Sequence, residues 1–534
     1  MKRLCKYLLF SVVLLAGSCD EEDQSTPAPS VFLPLNISSE VKSIGETTSV
    51  TVVAAASAGL RSMVVEIDGA SFDEVTYSSE FREEYLLEYT VPASAAVGSM
   101  IGFTFTVTDV QDRMSNILTY QIQVVEADKF VVTDENLAGN MGTKVKQISA
   151  LPGTDAAIIN SDLTLDATQP WMLNGPVLVE EGVTLTIEAG TLIYAKVLTT
   201  GSSFLAVQPG GQISATGTPD EPIVFTSERS ATDNAIKGDW GGLLLLGAGQ
   251  TNLTGDDLVL PVAGAFGGTE DDQSSGTLSY VRVEYGGKDS DAAIILNSVG
   301  SGTQIDHIQS FSSAAAGIQL FGGAVNVRHA VVVGALDHSF NCRHGWRGLG
   351  QYWVAQAFPN KEDPRALEVR NNSDDFDALP RTAPVISNIT LIGPGEATKN
   401  EKPEKNNRGL RMREGASGQF HNFLVTQFPD DAVRLDNDAD PGIVVTHGHS
   451  WNNDDNFAKS AADLFANPAN NLFDTPAGTI DVNQWTGSTS TAALEASTLG
   501  EWFDAVSFIG AIENDANDWT AAGEWCKNED GSVR

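Results

Sequence analysis

One short phrase recurs between Leu278 and Leu435 and narrows the chain to very few architectures. It reads Leu278-Ser-Tyr-Val-Arg-Val, Ile305-Asp-His-Ile-Gln-Ser, Val327-Arg-His-Ala-Val-Val, Ile386-Ser-Asn-Ile-Thr-Leu and Phe420-His-Asn-Phe-Leu-Val. A second phrase alternates with it: Ala293-Ile-Ile-Leu, Gly317-Ile-Gln-Leu, Ser339-Phe-Asn-Cys, Ala366-Leu-Glu-Val, Gly409-Leu-Arg-Met and Ala432-Val-Arg-Leu. Ile294 to Ile318, Ile318 to Phe340 and Leu410 to Val433 are steps of 24, 22 and 23 residues. A fixed step in the low twenties, built from short strands and Gly/Asn/Asp turns, is a solenoid signature. Apolar and polar residues mostly alternate within each phrase, which is the strand period. A leucine-rich repeat would need a regular Leu lattice, and propeller blades are about twice as long. The expected fold class is therefore all-β: a right-handed parallel β-helix preceded by a small β-sandwich.

The step from Leu367 to Leu410 is 43 residues, and its surplus holds Gly393-Pro-Gly followed by the Lys/Glu/Asn-rich run 396–407. This reads as an insertion looping out of one coil. Solenoid insertions gather on one face, often the binding face.

The N-terminus opens with Lys2 and Arg3, then an apolar run from Tyr7 to Leu15, then Ala16-Gly17-Ser18-Cys19. That is a signal peptide, too short to span a membrane. Its end resembles the lipobox of bacterial lipoproteins, with Ala16 where that family prefers Leu. The resemblance implies cleavage before Cys19 and acylation of that cysteine, which several acyl chains would hold durably in a membrane. Asp20-Glu-Glu-Asp23 resembles the export signal of surface-exposed lipoproteins, implying an outer-membrane protein facing the exterior. The expected organisation is signal peptide 1–19, acidic and Pro-containing linker 20–30, β-sandwich 31–127, transition and N-terminal cap 128–170, β-helix 171–493 and C-terminal aromatic cap 494–534.

Residues 31–127 carry strand runs such as Val50-Thr-Val-Val, Met63-Val-Val-Glu-Ile and Ile101-Gly-Phe-Thr-Phe-Thr-Val-Thr-Asp, separated by turn signals. The last of these resembles bacterial immunoglobulin-like and cadherin-like modules, for which a spacer role is expected. From Trp171 onward four phrases are more specific: Glu181-Gly-Val-Thr-Leu-Thr-Ile-Glu-Ala-Gly-Thr191, Gly210-Gly-Gln-Ile-Ser-Ala-Thr-Gly-Thr218, Asp239-Trp-Gly-Gly-Leu243, and Phe508-Ile-Gly-Ala511 with Asp518-Trp-Thr520. They resemble a family of secreted and lipid-anchored bacterial proteins with a pectin-lyase-like β-helix. That resemblance implies fold and location and brings no catalytic residues.

A formal charge of −38 over 534 residues argues against nucleic acid or an anionic membrane surface as partner. It suits an exported surface and divalent cations, so Ca²⁺ is a possible cofactor. Of the cysteines outside the signal region, Cys342 and Cys526 either pair or leave Cys342 as a buried free thiol.

Three clusters could carry chemistry. Asp374, Asp375 and Asp377, with Asp430-Asp431 nearby, are carboxylates beside rung strands; two carboxylates on neighbouring coils, with Arg411, would suit a glycan-cleaving acid and base. The same residues also suit turns. Asp436, Asp438 and Asp440 alternate as in calcium loops, although Pro441 and His447 stand where an EF-hand has Gly and Glu. Arg343, His344, Trp346, Arg347, Tyr352 and Trp353 mix guanidinium and aromatic groups that could bind sugar rings or uronates. Arg408 and Arg413 lie on a later coil beside Arg411. His447 and His449 lack a third metal ligand. Three functions stay open: non-catalytic binding to glycans or other surface polymers, a polysaccharide lyase or hydrolase, and a structural envelope component.

Overall fold

The computed structural model describes residues 26–35, 37–137, 142–359, 365–395, 407–476, 485–486 and 492–534. The signal region with Cys19 and almost all of the 396–407 insertion lie outside them. The chain divides into two compact units between Ala127 and Asp128.

In the first unit a three-stranded sheet (Ser30–Phe32, Thr47–Ala55, Arg82–Thr90) and a five-stranded sheet (Ser39–Ser43, Leu118–Val125, Met100–Asp109, Leu60–Ile67, Ala70–Thr76) share one core. Phe103, Phe105 and Val107 alternate inward on one strand, and Val52 and Leu87 meet them from the other sheet.

The second unit is a parallel β-helix. Its major sheet stacks strands from Phe130–Asn136 to Leu472–Phe473; its minor sheet stacks eleven strands from Ala157–Ile159 to Asp455–Lys459. The repeat read from sequence is the register itself: Ile294 pairs Ile318, which pairs Phe340, then Leu367, Leu410 and Val433. These side chains form one continuous core with Leu278, Ile305, Val327, Ile386 and Phe420 from the major sheet.

The early coils have three strands each, for example Phe204–Val207, Gln212–Thr216 and Ile223–Ser227. The strand Gly276–Glu284 pairs with both of the last two, so that Ile213 faces Gly276 and Ile223 faces Val281. Tyr280, at φ 51°, does alone what residues 217–222 do one coil earlier. Each later coil repeats the device at His307, His329, Tyr352, Asn388, Asn422 and His447, all at φ 50–63°. Asn and His tolerate this left-handed conformation better than most residues. It breaks the alternation, so Asp306 and His307 both face outward while Ile305 and Ile308 face the core.

Helix Ala461–Ala466 covers the last coil, its Phe465 stacked 4.6 Å from Phe457. The expected aromatic cap at 494–534 is therefore corrected. The segment instead runs along the flank of the major sheet as a strap. Asn422 donates to Leu494 O, Asn388 to Phe508 O, Arg328 to Trp502 O, Gln309 to Lys527 O and Arg282 to Trp525 O. Trp525 and Ile512 bury Phe311, Val331 and Val354 beneath it. The apolar outer face of the sheet needs cover, and the tail's aromatics supply it. Cys342 and Cys526 are both buried free thiols, so the pairing alternative is not realised. Among the described residues no helix is long and apolar enough to cross a membrane.

Candidate functional site

The outer face of the minor sheet changes character along the solenoid. Over the earlier coils it is apolar: Leu244, Ile295 and Ala292 are covered by Ala263 and Phe266 of a loop inserted after Gly249. From the coil after Ile295 onward the outer face becomes polar. Gln319, Asn341, Glu368, Arg411 and Arg434 follow Ile295 in one column, and Arg343, Arg370 and Arg413 follow Phe321 in another.

Glu368 is the hub. Its side chain has no exposed surface, yet it faces outward because Leu367 and Val369 on either side fill the core. His338 Nε2 lies 2.8 Å from Oε2, Arg413 Nε donates to Oε1 at 3.1 Å, Arg411 at 3.2 Å, and Arg343 donates to Oε2 at 3.4 Å. His338 Nδ1 meets Asp337 at 2.6 Å, and Arg365 donates to Asp337 at 2.8 Å. Burial alone would raise the Glu368 carboxyl; the His338 contact, then Arg413 and Arg343, hold it well below the usual carboxylate range. Burial is also the main cause that brings the Arg343 guanidinium down to about 10, with Arg370 beside it. A carboxylate locked this way cannot carry a proton to a substrate; it orients guanidinium groups.

Beside this hub lies a groove of about 640 Å³ lined by Asn297, Phe321, His344, Asn372, Asp374 and Asp375. A second groove of about 640 Å³ adjoins it, sharing Leu260 and Asp291, so the face is continuous past the inserted loop. His344 packs edge-on to Phe321 at 4.7 Å, and burial, with Arg343 and Arg370 nearby, pushes its imidazole down to about 4.

The predicted residues distribute unevenly around this site. Asp374 and Asp375 line the groove, but their loop uses them as turn groups: Asn372 accepts from Asp374 N and Asp375 from Asp377 N. Asp377 is exposed and paired with Arg381 at 2.8 Å. Arg411 belongs to the hub and not to the groove lining, and its second carboxylate is Asp436 at 2.7 Å. This corrects the expected partnership of Arg411 with Asp374 and Asp375.

The aromatic cluster is also corrected. Trp346 and Trp353 are fully buried and stacked on each other in the core, their indole N–H groups given to Val325 O and Val327 O. No sugar can reach them. Tyr352 stands on the opposite flank, between His329 and Phe508 under the strap. Arg347 is held by Asp271 at 2.6 Å. Only Arg343 and His344 remain at the site: the strand His338–Arg343 ends there, and the left-handed His344, at φ 54°, stays with Arg343 against Phe321.

The calcium-loop reading of Asp436, Asp438 and Asp440 is corrected as well. Asp436 is taken by Arg411 and Arg434, both at 2.7 Å, and Asp440 turns to Gly442 N and Arg381. Guanidinium groups supply the charge that a cation would have to bring. His447 and His449 do not converge on a third ligand among the described residues.

Sequence reasoning missed Glu368, His338, Asp337 and Phe321. Glu368 sits inside a quoted repeat, Ala366-Leu-Glu-Val, and an outward Glu in a rung followed one coil later by an outward Arg was the available signal.

The profile of the family described as "Pectate-lyase like beta helix domain" matches residues 157–507. No curated protein matches the chain. Among solved structures, the chain is similar to the Family 28 exopolygalacturonase of Yersinia enterocolitica at 10% identity and TM-score 0.16, over 80% of this chain and 92% of that one. It is also similar to the fibronectin(III)-like modules of Clostridium thermocellum CbhA at 21% identity and TM-score 0.15, over 19% of this chain and 48% of that one.

Proposed function

The chain belongs to the pectate-lyase like β-helix domain family, and from that premise we propose that it is a glycan-binding surface protein whose binding face is the polar end of the minor sheet. The observation that carries this reading is the Glu368 hub. It holds Arg343 from the preceding coil and Arg411 and Arg413 from the following one in fixed orientations next to an open groove. Stacked coils stand about 4.8 Å apart, so the face offers a ladder of donors to an extended polymer. A guanidinium has five N–H groups. Arg413 gives Nε to Glu368 and one terminal nitrogen to Glu414; among the described residues its other terminal nitrogen meets no acceptor and is available to a ligand oxygen. Preorganised donors lose little freedom on binding. Phe321 and the neutral His344 add an apolar wall.

The wider reading is a lipid-anchored outer-membrane protein held through acylated Cys19 and facing the exterior, with a glycan or other surface polymer as partner and no nucleic acid. Its support is the N-terminal motif alone. Labelling with a palmitate analogue, and its loss in Cys19→Ser, tests the anchor.

A glycan-array and polysaccharide-turnover screen of the full chain tests the binding face, run with and without calcium. The expected result is binding of one polymer class without new reducing ends or unsaturated uronates, weakened at least about tenfold, ~1.4 kcal/mol, by Arg413→Met. Turnover abolished by Asp374→Asn with Asp375→Asn, with binding retained, would make this protein an enzyme. Asp374 and Asp375 lining the same groove as His344 is the observation that favours that second reading.

A further inference from the structure

Resting on the glycan-binding reading above, we propose that the polymer carries free amino groups: the groove beside the Glu368 hub is a site for a cationic amino-sugar chain, not for a polyuronate. Asp257, Asp291, Asp374 and Asp375 line this groove, and no lysine or arginine does. They come from separate segments: the inserted loop, the turn before strand Ala292–Asn297, and the loop after strand Arg365–Arg370. Among the described residues none of the four forms an ion pair, whereas their neighbour Asp377 has Arg381. The hub arginines are the reverse case. Arg343 meets Glu368, Arg411 meets Glu368 and Asp436, and Arg413 meets Glu368 and Glu414. Their charge is compensated inside the protein, so the field reaching a ligand in the groove is negative. The adjoining groove keeps that sign. It adds Asp155 and Asp289 against one lysine, Lys288, which donates to Leu198 O at 2.6 Å. A polyuronate would lie against like charges here, and an ammonium group against opposite ones.

A second observation concerns the floor where the two grooves meet. Gln319 faces outward there, since Ile318 and Leu320 on either side fill the core. It pairs Ile295 of one lining and stands beside Asn297 and Phe321 of the other. Its side chain has no exposed surface; Nε2 donates to Asn297 Oδ1 at 3.1 Å, and Oε1 has no partner. On the next coil Asn341, 5% exposed, leaves Oδ1 equally unpartnered, and Nδ1 of His344 in the groove wall is a third such atom.

Buried polar groups are nearly always hydrogen-bonded, so three orphans along one floor mark a place where a ligand brings the partner. Carboxamide oxygens only accept, and a neutral imidazole accepts at one nitrogen; an ammonium has three donors and no acceptor. Phe266 and Phe321 in the same lining offer apolar surface to the C–H face of a sugar ring. An amino sugar joins the two chemistries in one unit.

Calorimetric titration of the full chain at low salt and mildly acidic pH, with hexamers of glucosamine, N-acetylglucosamine and galacturonate and with hexalysine, tests this. The glucosamine hexamer is expected to bind at one equivalent, about tenfold tighter than the other three, and to weaken as salt screens the carboxylates. Asp291→Asn, and Asp374→Asn with Asp375→Asn, should each weaken it about fivefold. The two variants alter different segments, so a misfolded acidic loop in the second leaves the first as a test. Asp515→Asn, exposed on the strap, should change nothing. A net charge of −38 attracts any polycation; equal affinity for hexalysine, or binding indifferent to the groove variants, therefore overturns the assignment. A preference for the acetylated or the galacturonate hexamer overturns it too. If all four probes are silent while the glycan array finds another polymer, weakened by Arg413→Met, the amino-sugar assignment alone fails; if the array is silent as well, the glycan-binding reading fails with it.

Discussion

Nε2 of His338 lies 2.8 Å from Oε2 of Glu368, a carboxylate with no exposed surface in the middle of an outward-facing column. The contact joins two coils, and the same carboxylate reaches Arg411 and Arg413 on the next. Removing a buried partner of this kind leaves the remaining charges uncompensated, which costs about 3–5 kcal/mol. Glu368→Ala should therefore lower stability by about that much, against roughly half for Glu368→Gln, which keeps the shape and loses the charge. Urea unfolding of both variants checks this. A neutral Glu368→Ala would mean that the arginines hold one another's partners without the hub.

Stability should also rise with pH across the acidic range. Burial, the main influence on each, pushes His344 and His421 down to about 4, with neighbouring arginines acting on His344 and His447 on His421. In the unfolded chain a histidine titrates near 6.5. Between about pH 4 and 6.5 the unfolded chain binds protons that the folded chain does not, so stability increases with pH there, by up to about 1.4 kcal/mol per unit per histidine. Glu368 and Asp337 add to this lower down: both carboxyls are depressed in the fold, so their contribution is present above about pH 4 and is lost as pH falls below it. Urea midpoints from pH 3.5 to 7.5 give the curve, and His421→Asn should flatten its upper half. A flat curve over that half in the native chain would contradict the buried neutral state.

How much of this was legible beforehand varies with the cause. The inward column from Ile294 through Ile318 and Phe340 to Val433 was readable because core filling imposes a period on every coil. The corner column was not, although its mark was present: Asp306-His307, Arg328-His329, Ser387-Asn388 and His421-Asn422 are polar pairs between apolar residues, where simple alternation allows one. A single left-handed residue explains each pair. Glu368 was quoted as a rung residue, but its partners Arg343, His338, Arg411 and Arg413 lie on other coils, separated by turns of unequal length. The strap has no period at all, and Trp525 meets Arg282 from 243 residues away. Its aromatics predicted cover for exposed core; only the fold says which surface is covered.

The groove's acidic loop is pinned by one glycine. Gly415 sits at φ +75°, and a Cβ there would lie 1.8 Å from Phe376 O. Asn371 donates to Phe376 O at 3.0 Å, and Arg381 donates to both Phe376 O and Gly415 O. Gly415→Ala must push this loop, with Asp374 and Asp375, off the coil. The expected cost is about 1–3 kcal/mol from backbone strain, with faster amide exchange at Asp374 and Asp377. Unchanged exchange at those two amides would show that the loop is held without Gly415.

The strap's attachment rests on the corner asparagines. Asn388 donates from one amide nitrogen to Phe508 O at 2.9 Å and Gly510 O at 3.3 Å, while its oxygen accepts from Gln351 at 3.2 Å. Asn422 holds Leu494 at both ends, donating to its carbonyl at 2.8 Å and accepting from its N–H at 2.9 Å. Each is buried, so truncation strands polar groups away from water and costs about 1–3 kcal/mol. The coils beneath are closed by their own ladders, so this loss falls on the strap. Asn388→Ala should leave exchange protection along Asn326–Val333 nearly intact at its core positions while amides at 508–511 exchange faster and protease nicks within 492–534 appear sooner. Equal loosening of the coil and the strap would mean that the two unfold as one unit and that the strap is part of the solenoid's own stability.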